Sequence, residues 1–450
     1  MFIIKDRSFY KKVLTIAVPI TIQSLITFAI NMIDTIMVGS LGEIPLSAAS
    51  LSGQIFFITT VLCFGVGGGG AVLTSQFWGK NDKESISKTL SIVIKLNFIV
   101  GLIFLALSLF IPKQLLMFYT NDGSVIEAGV HYLKSVAIMY PLFCITTSIS
   151  IIFRTISQIK ISVIANSVAF VLNVFFNWVF IFGKLGAPAL GLTGAAIGTV
   201  ISRFVECLII VLYLFFINKK VKFTLKDLMY FDKNIFKKYL NNGINVLISD
   251  AILVFGLTGL TMILGRLGPE MVAANSICSI IIQLSTISIA GVANSGLVII
   301  GNTIGSGKLN LAKLQAKTFL LISVVTGIVA AVIIVFVKPI AIDFYNVSQQ
   351  TKDIAYQLMN GAAFIIIFQV PSTVLTKGIL RGGGDTRFLL FADVAFLWIL
   401  SIPLGILAAF VFKFPPALIY ICLKFDEIVK YVLCGFRMFS NRWVKDITVS

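Results

Sequence analysis

The carboxylate of Asp34 is the side chain whose type and position most clearly suggest chemistry, because it interrupts the apolar segment AINMIDTIMVG. An ionisable group inside an apolar span is costly unless it is hydrated, paired or protonated, and such residues usually mark ion or substrate pathways. With a helix rise of about 1.5 Å per residue, Asp34 lies roughly 33 Å beyond Lys12, in the outer half of its span. We expect Asp34 to bind an ion or a substrate; the alternative is a carboxylate that caps the helix end or contacts interfacial water.

Two amides form a second polar feature in an apolar segment. Asn173 and Asn177 are one helical turn apart in LNVFFNWVFIFG, so both side chains project from one face of a helix. They could line a polar cavity or form hydrogen bonds between helices. Three further polar residues in apolar spans are candidates for a substrate cavity, namely Gln23, Gln54 and Asp250.

Other charged residues in or near the apolar spans have local explanations. Arg203 and Glu206 are three residues apart, so they can neutralise each other, and we interpret this pair as structural. Asp385 and Asp393 follow LRGGG, where a turn and a helix start explain acidic residues. Near the carboxyl end, the basic neighbours Lys424 and Lys430 could satisfy two acids, Asp426 and Glu427.

Membrane-spanning helices must position these side chains. The chain has 450 residues, of which 58% are hydrophobic and 12% charged, and a mean hydropathy of +1.00, far above that of soluble domains. Apolar stretches of about 20 or more residues recur throughout, and each can cross a bilayer as a helix. The sequence predicts an all-α integral membrane protein with twelve transmembrane helices, at 13–38, 46–78, 89–111, 128–153, 161–183, 190–217, 240–265, 271–304, 311–337, 354–380, 388–412 and 415–437.

The distribution of basic residues gives the orientation of these helices. Short cytoplasmic loops concentrate Lys and Arg, whereas the opposite loops lack them. Here the basic residues gather in alternate connectors, at 5–12, 80–88, 154–160, 219–238, 308–317, 381–387 and 437–445. We therefore expect a multi-pass protein of the cell membrane with both termini in the cytoplasm. The longest basic connector mixes lysines with aromatic residues, so it either lies on anionic headgroups or forms a joint between two moving lobes.

The two halves of the sequence are related by an internal repeat. At an offset of 226 residues, five glycines of the first half meet glycines of the second: Gly39 with Gly265, Gly42 with Gly268, Gly65 with Gly291, Gly70 with Gly296, and Gly79 with Gly305. At an offset of 227, Arg154 meets Arg381 and Asn166 meets Asp393. An even number of helices per repeat gives both halves one orientation, so two six-helix lobes should relate by a pseudo-two-fold axis along the membrane normal.

These observations set the expected domain boundaries. An amino-terminal lobe occupies 1–217, a cytoplasmic basic connector 218–239, a carboxyl-terminal lobe 240–437 and a cytoplasmic tail 438–450. Two such lobes can enclose a cavity near the midplane that opens to either side by rocking. The sequence therefore favours alternating access across the lipid bilayer.

Composition and motifs disfavour other classes of protein. The net charge of +17 lies in short connectors and forms no stripe typical of nucleic-acid binding. The six cysteines form no CxxC pair, His131 is the sole histidine, and GVGGGG lacks the lysine of a phosphate-binding loop. We expect neither an enzyme nor a bound cofactor, and we interpret the glycine run as a site of helix packing or a hinge.

Several motifs in order along the chain resemble the multidrug and toxic compound extrusion (MATE) family. They are Pro19 with Gln23, DTIMVGSLG, LNVFFNWVFIFG followed by GLTGAAIGTVISR, then LGPEMVAAN, LRGGGDTR and SNRWVKDIT. The resemblance implies an antiporter that exports cationic amphiphilic drugs or metabolites in exchange for H⁺ or Na⁺, and it implies a monomer. Its ion-coupling residues match Asp34, Asn173, Asn177 and Thr199, and a bound Na⁺ would also lie near Ala195.

This chain departs from the family pattern in its second half. Some members carry acids in the seventh and tenth spans where this sequence has Leu253 and Val370, which places a second carboxylate site in doubt. Asp250 could substitute for the missing acid. The alternative functions are a flippase for lipids or lipid-linked precursors, which should have more helices and a strongly cationic cavity, and a receptor or assembly protein, which would not need paired halves.

Overall fold

The structure is a computed structural model that describes residues 3–221, 223–343, 345 and 347–448. None of these residues lies in a strand. The helices of the first half are α1 Arg7–Gly39, α2 Glu43–Gly79, α3 Lys83–Phe110, α4 Pro112–Met117, α5 Gly123–Val136, α6 Met139–Thr155, α7 Ile159–Phe182, α8 Leu192–Ile217 and the short α9 Leu225–Met229.

The second half repeats this plan. Its helices are α10 Lys233–Gly265, α11 Pro269–Gly305, α12 Leu309–Asp343, α13 Gln349–Leu380, α14 Thr386–Val411, α15 Pro416–Leu423 and α16 Phe425–Phe439. α1 and α10 both have 33 residues, and α2 and α11 both have 37. Equal lengths at equivalent positions show that the glycine pattern of the sequence marks repeated helices.

Ten helices of the described chain are long and apolar enough to cross a membrane. The predicted fourth span is a pair, α5 and α6, bent by 53° at the break between them. Pro141 lies at the start of α6, where its missing N–H and its ring disfavour a continuous helix through the break. The last predicted span corresponds to α15 and α16, which meet at Lys424. The all-α membrane fold predicted from the sequence is confirmed, with helices in the predicted twelve-span order.

The described residues divide into two compact units. The amino-terminal unit comprises Ile22–Thr74 and Asp82–Tyr239, and the carboxyl-terminal unit comprises Met1–Thr21, Ser75–Asn81 and Leu240–Ser450. The first part of α1 and the last turns of α2 therefore group with the second half of the chain. The lobe boundaries expected from the sequence stay a prediction.

Glycines in α2 permit close packing inside the amino-terminal unit. A Cβ on Gly67 would lie 2.4 Å from Cδ1 of Ile151, and one on Gly70 would lie 2.4 Å from Cγ2 of Val93. These separations are far below van der Waals contact, so a larger residue at either position would require the side chain of Ile151 or Val93 to shift.

Candidate ion-coupling site

Asp34 on α1 and Asn177 on α7 form the shortest contact of the site. The amide nitrogen Nδ2 of Asn177 donates a hydrogen bond to Oδ1 of Asp34 over 2.6 Å. Asn177 is fully buried, whereas Asp34 is partly exposed. A hydrogen bond to a carboxylate is stronger than one between neutral groups, so this contact ties the last turns of α1 to α7.

The polar contacts continue along α7 to α8. Asn173, which is 3% exposed, donates through Nδ2 to the hydroxyl of Thr199 over 3.4 Å. Its Oδ1 accepts from Nδ2 of Asn177 over 3.5 Å. Both distances are long for hydrogen bonds, so these contacts are weak compared with that to Asp34. The structure thus brings Asp34, Asn173, Asn177 and Thr199 together, and their role in ion coupling stays a prediction.

Small residues on α8 let α7 approach this face. A Cβ on Gly194 would lie 2.3 Å from the carbonyl oxygen of Phe180, and one on Gly198 would lie 2.3 Å from Oδ1 of Asn177. Ala195 is 3% exposed and packs with Val38 in a small apolar cluster beside the polar residues. Ala195 therefore lies next to the site, and Gly198 is a further residue that the sequence reasoning missed. Its signal was the GAAIG run of small residues on one helix.

The site contains an acceptor that no described residue satisfies. Oδ1 of Asn177 is buried and has no hydrogen-bond partner among the described residues. Such a buried, unpaired polar atom costs about 1–3 kcal/mol. Asp34, Asn173 and Thr199, which belong to the same chain of contacts, add a carboxylate, an amide oxygen and a hydroxyl oxygen. These are hard ligand types that suit Na⁺, and the carboxylate can also take a proton.

The described residues contain no group of three His, Cys, Asp or Glu side chains that could hold a metal ion. Multivalent ions usually require several anionic ligands, so the oxygen set at Asp34 is better matched to H⁺ or Na⁺ than to Ca²⁺. Arg203 and Glu206, on the same helix as Thr199, form an ion pair of 2.6 Å. The predicted mutual neutralisation of these two residues is confirmed.

The three residues predicted for a substrate cavity have surroundings of their own, each described within its own unit. Gln23 accepts a hydrogen bond of 3.0 Å from Nη2 of Arg154. Gln54 is exposed on α2. Asp250 lies in the carboxyl-terminal unit and forms an ion pair with Arg381, with 3.0 Å between Nη2 and Oδ1. Their role in binding substrate stays a prediction.

The carboxyl-terminal unit contains further buried acids with partners of their own. Ser249 donates to Asp393 over 2.7 Å, and both residues are buried. Lys430 is 2.9 Å from Asp426 and 3.3 Å from Glu427, as its spacing on one helix predicts. The sequence reasoning correctly assigned Lys430 as a partner but missed the serine at Asp393.

The explanation of Asp385 as a helix-start residue is wrong. Asp385 precedes α14 but makes no capping hydrogen bond. Its carboxylate is fully buried between Arg437, at 2.7 Å, and Lys445, at 2.5 Å. The two bases come from the last helix and the tail, which local sequence around position 385 could not indicate.

Comparison with known proteins agrees with this architecture. The MatE family model matches residues 19–179 and 246–407. A probable multidrug resistance protein NorM of Pasteurella multocida is 24% identical over 429 residues, which cover 91% of this chain and 88% of that protein. The uncharacterized transporter YisQ of Bacillus subtilis is also 24% identical, covering 95% of this chain and 93% of its own.

Solved structures show the same fold. A multidrug resistance MATE family transporter of the MOP superfamily, in an outward-facing conformation, matches with a TM-score of 0.86 at 18% identity, covering 98% of this chain and 99% of the other. A MOP superfamily transporter from Pyrococcus furiosus, described as having a binding pocket of reverse polarity, matches with the same TM-score and identity over 96% of each chain. Because the family model spans more than half of the sequence, in two segments that correspond to the repeated halves, the chain belongs to the MatE family and is a MATE transporter.

Proposed function

We propose that this transporter exports cationic amphiphilic drugs or metabolites across the cell membrane in exchange for H⁺ or Na⁺. The contact between Asp34 and Asn177 carries this proposal, because it places one carboxylate beside a buried, unsatisfied amide oxygen. Similar proteins named as multidrug resistance proteins support drugs as substrates. We further propose that the transporter works as a monomer, without a cofactor, and has both termini in the cytoplasm.

The coupling mechanism follows from competition for the carboxylate. In the described contact, the amide of Asn177 donates to Asp34 and holds α1 on α7. A cation or proton at Asp34 would compete with this donor for the negative charge, so the attachment of α1 would weaken. Alternating access of two lobes then lets the ion enter from outside and leave inside while substrate moves outward. A ligand shifts this equilibrium only by its difference in affinity between the two states.

The decisive experiment separates the two driving ions. The purified protein is reconstituted in liposomes, and transport of a fluorescent cationic dye is recorded under an imposed Na⁺ gradient or pH gradient alone. We expect one gradient to drive wild-type transport and Asp34→Asn to abolish it at matched protein amounts. Asp122→Asn is the control, because Asp122 is an exposed cap at the start of α5. Gradient-driven transport by Asp34→Asn at the wild-type rate would refute the assignment.

Lipid flipping is the second candidate, and the described site does not favour it. A flippase for anionic lipid-linked precursors would need an excess of basic residues at the site. Here Glu206 neutralises Arg203, the base on the helix of Thr199, and the central group is a carboxylate. The same liposomes could test it, with a fluorescent lipid in place of the dye, and we expect no gradient-dependent flipping.

A further inference from the structure

The tail of the chain packs tightly against other parts of the carboxyl-terminal unit. Trp443 is fully buried, and its ring lies directly on Gly383, where a Cβ would be 2.2 Å from Cε3. The indole nitrogen donates to the carbonyl oxygen of Met438 over 2.8 Å. The amide of Lys445 donates to the carbonyl oxygen of Gly383 over 2.9 Å. The tail is therefore a folded part of this unit, fitted to the glycines that follow α13.

Gln76, near the end of α2, joins the same assembly. Gln76 is fully buried. Its side-chain amide nitrogen, Nε2, donates to the carbonyl oxygens of Lys445 over 3.0 Å and of Gly382 over 3.3 Å. Its Oε1 accepts from the amide of Ile447 over 3.0 Å. One side chain of α2 thus binds backbone groups of both the tail and the loop after α13.

Charge adds a second attachment. The buried carboxylate of Asp385 binds Arg437 of α16 and Lys445 of the tail. Because Asp385 pairs with both bases, the same carboxylate attaches Lys445 of the tail and Arg437 of α16. The Gln76 and Asp385 contacts meet at Lys445, whose backbone and side chain are both engaged.

Beside this assembly, the end of α2 packs closely on α11: the side chain of Ser75 lies on Gly301, and one turn later the two backbones meet directly. A Cβ on Gly79 would lie 2.0 Å from the carbonyl oxygen of Asn302, and one on Gly305 would lie 1.9 Å from that of Gln76. Gly79 and Gly305 are equivalent residues of the two repeats, so the repeated helices meet at matching glycines. A contact between bare backbones has little apolar area to hold it, so other groups must stabilise it.

We propose that residues 441–448 act as a clasp that holds the end of α2 on α11, and that release of this clasp permits the two helix ends to separate. The glycine run Gly65 to Gly70 precedes the clasped end of α2 and gives the helix a place to bend, because glycine lowers helix stability. Under the proposed function and orientation, this end faces the cytoplasm. Release of the tail would then be a step in opening the transporter towards its cytoplasmic substrates.

Hydrogen exchange of the purified protein in detergent tests the clasp without requiring transport. Trp443→Ala removes the buried ring, and a chain that ends after Ser440 removes the clasp altogether. We expect the amides of residues 76–81 and 302–308 to exchange at least about tenfold faster in both, as expected when a local opening becomes easier. Arg442→Ala, a change at an exposed tail residue, is the matched control and should leave exchange as in wild type.

Two further measurements keep the test decisive. Lys445→Glu places a carboxylate against Asp385 while leaving Trp443 in place, so it should release the tail even if Trp443→Ala does not fold. Unchanged exchange at 76–81 in the folded truncated protein or in Lys445→Glu would overturn the clasp. Asp34→Asn should keep wild-type exchange in these segments, so loss of transport and loss of the clasp can be told apart.

Discussion

Arg154 and Arg381 occupy equivalent positions in the two halves, and each binds a residue on the first long helix of its own half, α1 or α10. Each arginine lies 131 residues after its partner, which is Gln23 in the first half and Asp250 in the second. The repeat thus preserves an arginine that reaches back to the first helix of its own half, while the partner changes from a neutral amide to a carboxylate. The two halves share a framework but differ in charge at this point.

This difference predicts unequal costs when the partners are removed. Asp250→Asn removes the carboxylate that pairs directly with the buried guanidinium of Arg381, which should destabilise the protein by about 3–5 kcal/mol. Gln23→Ala removes only a neutral acceptor from Arg154 and should cost about 1–3 kcal/mol. Thermal unfolding in detergent measures both. The double variant Asp250→Asn with Arg381→Gln should regain much of the loss, and a double variant no better than the single one would contradict the ion-pair explanation.

The unequal hydrogen-bond lengths at the coupling site predict different effects for its two amides. Asn177 contacts Asp34 directly at 2.6 Å, whereas Asn173 contacts Thr199 at 3.4 Å. We expect Asn177→Ala to lower the ion concentration needed for half-maximal transport by about tenfold, because the amide that competes with the ion for the charge of Asp34 is lost. Asn173→Ala should change it by a smaller factor. The measurement is dye transport as a function of the driving ion, and the reverse order of effects would exclude Asn177 as the main support of Asp34.

Gly198 offers a test that leaves every polar group of the site unchanged. A methyl group at this position would lie 2.3 Å from Oδ1 of Asn177, so Gly198→Ala should push the amide away from its place. We expect transport to fall by roughly tenfold, because small misplacements of a coupling group are costly. Gly53→Ala is the matched control, since Gly53 is also in a helix of this unit and a Cβ there has nothing within 4 Å. Equal transport by the two variants would show that the close contact has no functional role.

The sequence predicts much of the helical framework and the principal site because both follow periodic signals. Apolar stretches give the spans, and the spacing of Asn173 and Asn177 gives their shared face. Contacts between segments that are distant in sequence could not be predicted in the same way. The partners of Asp385 lie 52 and 60 residues later, and nothing near position 385 specifies them. The repeat did mark Arg154 and Arg381 as equivalent, but the residues that they bind required the folded structure.

The bend between α5 and α6 shows a second limit. Hydropathy is averaged over a window of residues and carries no information on backbone hydrogen bonds. It therefore shows one continuous apolar stretch where the structure has a bend. The proline at position 141 signals a possible kink, but Pro19 and Pro371 lie inside α1 and α13. Whether a proline breaks or merely bends a helix depends on whether neighbouring groups satisfy the freed carbonyl. Which groups satisfy that carbonyl is determined by tertiary packing, which the local sequence does not specify.

Asp232, in the basic connector before α10, should make the stability of the folded protein depend on pH in the acidic range. Asp232 accepts hydrogen bonds from the amides of Ile235 and Asn234 at the start of α10, and it pairs with Lys88 of α3 at 3.0 Å. The amide of Ile235, followed by the ammonium group of Lys88, holds the pKa of Asp232 below its usual value. Because the pKa is lower in the folded protein, the ionised carboxylate stabilises folding above the unfolded pKa. This contribution is lost as the pH falls through the lowered folded pKa.

Comparison of wild type with Asp232→Asn isolates that charge, because asparagine is also a good helix cap. At neutral pH we expect wild type to be more stable by about 0.5–1 kcal/mol, the usual size of one partly exposed ion pair with a helix-dipole contribution. The difference should persist down to about pH 4 and shrink below it, where the carboxyl group of the wild type is also neutral. Asp227→Asn, in the exposed cap of α9, is the control. A stability difference that instead grew on acidification would mean that Asp232 does not act through its ionised form.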